Sequence, residues 1–497
     1  MLERKHAAQG GMGDGRGEKN RRCVVLSLSV LIAATLAFLV TAAFFQDGGL
    51  YQWWRFQDGG PGRACKFPTD EAAAGGRGAP TTLSHIVFAI GASARAWNHL
   101  RGYVELWWQP GRTRGHVWLD GEPVAPWPAA TSPPYRVSAD ASRYGNRASA
   151  SRMARIVVDS FLAVAAEMGN DTTAASREDE ARWFVMGDHD TVFFPDNVVA
   201  VLSKYDHRDP YYIGAPSETE EQDAVYSYGM AFGGGGFAIS YAAAAELVKV
   251  MDGCLDRYRS FYGSDERVHA CLSELGIPLT RELGFHQMDI RDDPYGMLAA
   301  HPVAPFVSLH HLDHFQPIIP RNGSTPLDAV RSLVNASQFD PARTLQQSFC
   351  YQHGPDGDWS VSIAWGYTAQ LYPWIVPAHV LEVPLQTFQT WKRRGPFVFN
   401  TRPWRPGNAC ARPAVFFLSQ VRNETGGATV TEYTRVRQSE KECDKPHFRA
   451  ASAVQTVSVS APKMSPGDWK RGPRRHCCEM ERNLRGSTLD VRIRRCG

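Results

Sequence analysis

The chain has 497 residues, is 43% hydrophobic and carries a formal net charge of +3. That length predicts two or three domains with ample apolar residues for real cores. The near-neutral balance offers no bulk attraction for nucleic acid, so no nucleic-acid partner is expected.

Residues 1–23 form a basic tail with Arg16, Lys19, Arg21 and Arg22. "VVLSLSVLIAATLAFLVTAAFF" (residues 24–45) follows without a charge. At ~1.5 Å rise per residue it spans roughly 33 Å, enough for a bilayer core. Positive charge flanks only its N-terminal side, which predicts a signal anchor with the body in the lumen. A cleaved signal peptide is the alternative, and this apolar run is long for one. Residues 46–80, rich in Gly, Ala, Asp and Pro, read as a flexible stem. Four N-x-S/T sequons start at Asn170, Asn322, Asn335 and Asn423. The ten cysteines show no CxxC pair or zinc spacing. Nine lie beyond Cys23, so at least one is left out of any internal pairing. Adjacent Cys477 and Cys478 need different partners, or one stays reduced.

"HIVFAIGAS" (residues 85–93) reads as a buried strand entering a turn, "HLRGYVELWW" as a helix and "GHVWLDG" as a second strand. A helix with Met153, Ile156, Val157 and Phe161 at helical spacing leads to the strand "RWFVMG". The alternation implies a mainly parallel sheet wrapped by helices. "NVVAVLSKY" reads as a helix starting at Asp196, and "YAAAAELVKVMDGCLDRY" as another. "SDERVHACLSELG" reads as a helix with Ser264 as its N-cap. Beyond residue 340 the segments "SVSIAWGYTAQLYPWIV", "AVFFLSQV", "ATVTEYTRV" and "AVQTVSVSA" are β-rich and predict a separate module with a basic, Cys-bearing tail.

Asp188, His189 and Asp190 follow the apolar run at 182–187. Burying unpaired carboxylates is expensive, so they are expected at a strand end facing a cleft, where ligands gather in open α/β sheets. Two such carboxylates suit a hard divalent cation that bridges to phosphate oxygens. The bland reading is a turn or helix cap. Four glycines, Gly233 to Gly236, lack the arrangement of a phosphate loop and read as a tight turn with close backbone approach. His310, His311 and His314 cluster with Asp313, and one of these imidazoles can complete the Asp site or simply lie at the surface. Asp265 is the candidate general base, although by residue pattern alone a first-turn acid on the helix dipole explains it better.

Blocks such as "LSHIVFAIGASARAWNHLRGYVELWW", "GDHDTVFFPDNV", "YYIGAPSE", "MAFGGGGFAIS", "YGSDERVHACLSELGIPLTRELGFHQMD" and "AAHPVAPFVSLHHLDHFQPIIP" occur in this order. Together they closely resemble the plant fringe-like proteins, relatives of β-1,3-glycosyltransferases of the fringe and core-1 type. The resemblance covers residues 83–320, and "RRHCCEM" extends it. It implies a GT-A fold, a UDP-sugar donor, Mn²⁺ and inversion at the anomeric carbon. Asp190 matches the metal-binding acid and Asp188 the acid nearer the nucleotide. His189 replaces the middle Asp usual there, beside the nucleotide. Asp265 matches the catalytic base. His310, with His311 as second choice, matches the metal-binding histidine. Trp97, Trp107 and Trp108 match family positions and read as packing.

The expected protein is therefore α/β. It has a transmembrane helix at 24–45, a stem at 46–80, a GT-A-like domain at 81–320 and a β-rich module at 321–497. It is expected to be a single-pass type II Golgi membrane protein that transfers a hexose or N-acetylhexosamine from a UDP-sugar to a glycan or glycoprotein, forming a β-1,3 bond. The rival is a lumenal carbohydrate-binding protein on a transferase fold, with His189 as a mark of decay. An α/β hydrolase is disfavoured because GxSxG is absent.

Overall fold

The computed structural model describes residues 80–169, 180–321, 323–354, 357–392, 396–436, 443–482 and 487–496. The expected anchor and nearly all of the stem lie outside them. Among the described residues no helix is long and apolar enough to cross a membrane.

Ten short strands build the first part of the chain. They are β1 (Ile86–Gly91), β2 (Arg114–Leu119), β3 (Tyr135–Val137), β4 (Trp183–Asp188), β5 (Val192–Phe193), β6 (Tyr212–Gly214), β7 (Phe237–Ser240), β8 (Leu279–Arg281), β9 (Ile290–Asp292) and β10 (Ser308–Leu309). Seven form one sheet in the order β3-β2-β1-β4-β7-β6-β8. β1, β2, β3 and β4 run parallel, while β7 is antiparallel to both β4 and β6. Both faces are covered, which explains the unbroken apolar run of β1. Ile86, Phe88 and Ile90 enter one core, and Val87 and Ala89 enter the other. The helices Ala148–Gly169, Tyr241–Arg257 and Ser264–Glu274 cover the second face. A Cys254–Cys271 disulfide joins the last two.

Two helix starts differ from expectation. The helix Pro195–Leu202 begins one residue before Asp196, because Pro195 supplies a preset φ at its first position. In the helix Ser264–Glu274 the N-cap is Gly263, and Ser264 is already helical. Its end is closed instead by Glu266, whose carboxylate accepts from the amides of Tyr262 and Gly263.

The β-rich stretch is a closed barrel. β11 (Gln347–Gln352), β12 (Trp359–Ala364) and β13 (Thr368–Tyr372) form a meander; β14 (Phe388–Thr390) leaves it to pair with β9. β15 (Ala414–Glu424), β16 (Ala428–Arg435), β17 (Thr456–Pro462), β18 (Cys477–Arg482) and β19 (Thr488–Arg494) complete the ring in the order β11-β12-β13-β15-β16-β17-β19-β18. Its interior is a packed core of Val361, Ile363, Leu371, Phe416, Val459 and Val491, among others. That packing is continuous with the α/β half. Tyr367 and Phe417 of the barrel sit in the same core as Phe88 and Leu309, and the helix Pro326–Ser337 gives Leu333 to that core and Ala336 to the barrel.

Cys477 bonds Cys496, and Cys478 bonds Cys350. The adjacent pair can do this because successive side chains on a strand point to opposite faces. A fourth disulfide joins Cys410 and Cys443.

Candidate functional site

Asp188 is the last residue of β4, in register with Gly91 of β1. The His189 amide donates to the Gly91 carbonyl at 3.1 Å. The two carboxylates thus leave the sheet where two neighbouring parallel strands end. Thr191 closes the turn: its hydroxyl accepts from the Asp188 amide at 2.8 Å, and its amide donates to the Asp188 carbonyl at 3.0 Å. The Trp107 indole donates to the Thr191 carbonyl at 3.1 Å. Trp97, Trp107 and Trp108 are all buried, as packing requires.

The short β5 leaves this turn and pairs antiparallel with β10, Leu309 opposite Val192. The pairing delivers the next residue, His310, to the acids. Its Nε2 lies 3.2 Å from Asp190 Oδ1 and 3.8 Å from Asp188 Oδ2. Asp188, Asp190 and His310 each place one ligand atom within 4.8 Å of the others. His310 Nδ1 faces the Gln287 carbonyl at 3.3 Å, which fixes the ring and leaves Nε2 as the ligand atom. Burial opposes charge on His310, but Asp190 and then Asp188 outweigh it and push the imidazole up to about 9. Burial would likewise raise Asp190, yet the charge and hydrogen bond of His310 hold it well below the usual carboxylate range. Burial pushes Asp188 up; His310 pulls it back and Asp190 adds to the rise. Two carboxylates and one imidazole on a rigid turn are a fitting donor set for a divalent cation, which would take the place of the His310 proton.

The glycine run makes the close approach its composition suggests. A Cβ on Gly234 would lie 2.0 Å from His310 Cε1, and one on Gly235 would lie 2.9 Å from the Gln287 nitrogen. Gly236 has φ +82°, a left-handed conformation that favours glycine. The run also ties the parts together. The Gly234 carbonyl accepts from Thr191, the Gly235 carbonyl from Ser308, and the Gly233 amide donates to Asp265 Oδ2 at 3.1 Å.

Asp265 occupies the first turn of its helix, where Oδ1 accepts from the Glu266 amide at 2.9 Å. It serves the helix end and also faces a crevice lined by Gly91, Met153, Asp188, Gly233 and Ser264. Burial raises its carboxyl pKa, partly offset by the Gly233 and Glu266 amides. A carboxylate raised toward working pH and placed across a crevice from Asp188 can accept a proton there.

His189 stands apart from the ligand cluster, with Nδ1 3.8 Å from Asp190 Oδ1 and a partly exposed ring. His311 also stays outside it. Its Nδ1 turns to Asp289 at 3.4 Å, and its backbone is left-handed with φ 57°. Its ring lies 3.9 Å from that of His310 and stacks on Trp391 at 4.7 Å and 7°. Thr191, Gln287, Asp289 and Trp391 are site residues that sequence reading missed. Only the position of Thr191, next to the acids, offered any signal.

Comparison with known proteins adds a family frame. Residues 222–478, just over half of the chain, match a family described as protein of unknown function, DUF604. The chain belongs to the DUF604 family. The match runs from the β7 side of the sheet through most of the barrel, in keeping with their shared core. Residues 136–295 match the family described as Fringe-like, and the mixed, parallel-rich sheet fits a GT-A-like fold. A Mus musculus protein named Beta-1,3-glucosyltransferase is 32% identical over 136 residues, 27% of this chain and 26% of the relative. A Homo sapiens protein of the same name is 30% identical over 141 residues, 28% of this chain and 27% of the relative. The chain thus aligns with about a quarter of the length of these curated relatives.

Proposed function

We propose that this DUF604 protein is an inverting glycosyltransferase. It moves a hexose or N-acetylhexosamine from a UDP-sugar to a glycan or glycoprotein hydroxyl and forms a β-1,3 linkage. The observation that carries the reading is the convergence, where β4 ends, of Asp188 and Asp190 from within the Fringe-like match with His310 from within the DUF604 match. Asp190 and His310 would hold Mn²⁺, with Asp188 on the nucleotide side. The cation would supply Lewis-acid stabilisation to the departing diphosphate. Asp265 takes the proton of the acceptor hydroxyl as that oxygen attacks the anomeric carbon opposite the leaving group. The bond to the diphosphate breaks on the other face, which inverts the centre. Gly233 and Glu266 hold the Asp265 carboxylate in place with their amides.

The same reading places the protein in the Golgi membrane as a single-pass type II protein anchored by residues 24–45. The four disulfides among the described residues support an oxidising lumen around the body. The deciding experiment is a donor-hydrolysis screen of the purified protein against common UDP-sugars with and without Mn²⁺. Mn²⁺-dependent release of UDP from one donor is expected. An absence of metal-dependent UDP binding would turn the reading to a carbohydrate-binding protein on a transferase fold.

A further inference from the structure

Beside the ligand cluster, beyond His311, lies an open cleft of about 470 Å³ lined by Arg291, Asp292, His314, Phe315, Gln316 and Trp391. Its size falls in the range of ligand pockets. One wall comes from the C-terminal half of the chain. The strand β14 pairs with β9, Gln389 opposite Arg291, and hands Trp391 to the cleft. The segment is pinned on both sides of that residue: Arg291 Nε donates to the Thr390 carbonyl at 2.9 Å, and the Lys392 amide donates to Glu221 Oε1 at 2.9 Å. Trp391 then stacks on His311, whose ring lies against that of His310 at 3.9 Å with a tilt of 32°. The cleft is thereby joined to the ligand cluster by three consecutive rings. Trp391 lies outside the Fringe-like match and inside the DUF604 match.

Apart from Arg291 Nε, the polar rim is unspent. Among the described residues the side chains of Asp292, His314 and Gln316 make no hydrogen bond, and the His314 ring stands edge-on to those of His311 and Trp391. Asp292 is held in a left-handed backbone with φ 75°, as His311 is at φ 57°. Such strain in residues other than glycine collects at ligand sites. A flat aromatic face beside a carboxylate, an amide, an imidazole and a guanidinium matches one ligand chemistry. A pyranose ring has apolar C–H faces for stacking and equatorial hydroxyls for planar polar groups.

We infer that this cleft is a saccharide-binding subsite, with Trp391 as its stacking platform. The inference rests on the glycosyltransferase reading for its place in the reaction and gives one of that reading's pyranoses a seat at Trp391. The pyranose has two sources, the acceptor glycan or the donor's own sugar. The test uses the full chain and two readouts. Methyl hexopyranosides, methyl N-acetylhexosaminides and UDP-sugars are titrated by saturation-transfer NMR, and Mn²⁺ by calorimetry. Trp391→Ala should weaken saccharide binding about tenfold, the scale of one lost stacking contact, and Trp391→Phe should recover most of it. Mn²⁺ affinity should stay within about twofold in both, because neither change alters a ligand atom. Trp391-dependent binding of methyl glycosides assigns the cleft to the acceptor, and dependence confined to UDP-sugars assigns it to the donor. Saccharide binding that is absent, or unchanged in Trp391→Ala, overturns the inference. Weakened Mn²⁺ binding with unchanged saccharide binding also overturns it and makes Trp391 a support for His311. Trp391-dependent saccharide binding without any Mn²⁺-dependent UDP binding leaves the subsite standing and removes the transferase reading.

Discussion

The Thr191 hydroxyl donates to the Gly234 carbonyl at 2.8 Å while accepting from the Asp188 amide at the same distance. One buried oxygen therefore locks the acid turn to the glycine loop that backs His310. Thr191→Val keeps the shape and removes both bonds. Each orphaned backbone group should cost ~1–3 kcal/mol. A melting curve should show the loss, and Mn²⁺ affinity should fall with it, whereas Thr191→Ser should restore both. Native-like melting in Thr191→Val would disprove the lock.

Gly234→Ala probes the other side of the same contact. The new methyl would stand 2.0 Å from His310 Cε1 and 2.3 Å from Nδ1, so the imidazole has to move. The expected result is a loss of more than about tenfold in Mn²⁺ affinity, since a ligand group must sit within a few tenths of an ångström of its place. Unchanged affinity by calorimetry would mean His310 is not a ligand.

Cation binding should stabilise the fold by mass action. At 100 times the dissociation constant, Mn²⁺ should add ~2.7 kcal/mol to the wild type. Asp190→Asn should abolish most of that thermal shift. His189→Asp should keep or enlarge it, because His189 lies beside the cluster and not in it. Equal shifts in the wild type and Asp190→Asn would remove Asp190 from the site.

Much of this was legible before any fold was known, for local reasons. The apolar β1 and β4 runs, the carboxylates placed where β4 ends, and the glycine turn are all short-range patterns. The partners were not legible. Trp107 reaches Thr191 across 84 positions, and Trp391 reaches His311 across 80. Such contacts come from strand pairing and helix packing, to which a single sequence carries no direct signal. The barrel shows the same divide: its strands read as β-rich, but closure depends on β18 meeting β11, residues 477 and 349. The choice between His310 and His311 was open for a related reason. Adjacent residues take different directions, and the left-handed φ of His311 turns it to Asp289.

Two histidines should each make the fold sensitive to mild acid. His301 is fully buried, and burial, with His286 adding to it, holds its imidazole well below 6.5. Burial and Arg136 hold His116 down to about 4. Both stay neutral in the fold, while the unfolded chain takes up protons below about pH 6.5. At these two sites the unfolded state binds more protons, so their contribution to stability falls as pH drops from about 6.5 toward 4, whereas Asp223, which burial pushes up to about 7, works the other way over the same window. For His301 the slope approaches about 1.4 kcal/mol per pH unit in that window. Urea melts at pH 7 and pH 5 on both proteins isolate it: His301→Gln should lose less stability than the wild type, or gain more, between pH 7 and pH 5. The same pH dependence in the wild type and His301→Gln would refute the assignment.

Asp265→Asn separates binding from chemistry. The change keeps the size of the side chain and removes its basic oxygen. General-base catalysis is worth ~10²–10⁴-fold, so transfer should fall by that much. UDP affinity in Mn²⁺ should barely move, because Asp265 is not one of the three candidate ligand residues. Melting should drop modestly, since an amide nitrogen must now face the Gly233 or the Glu266 amide. A role confined to the helix end predicts a similar loss of stability, ~0.3–1 kcal/mol, but turnover nearly intact. The pH profile separates the two further. Burial raises the Asp265 carboxyl, so the acid limb of wild-type turnover should lie above the ordinary carboxylate range. Turnover is present above that value and lost as pH falls through it. In Asp265→Asn the residual rate should lack this limb. Near-native turnover with the limb retained would return Asp265 to the helix dipole. The role would not pass to Glu266, whose carboxylate is already engaged by the amides of Tyr262 and Gly263.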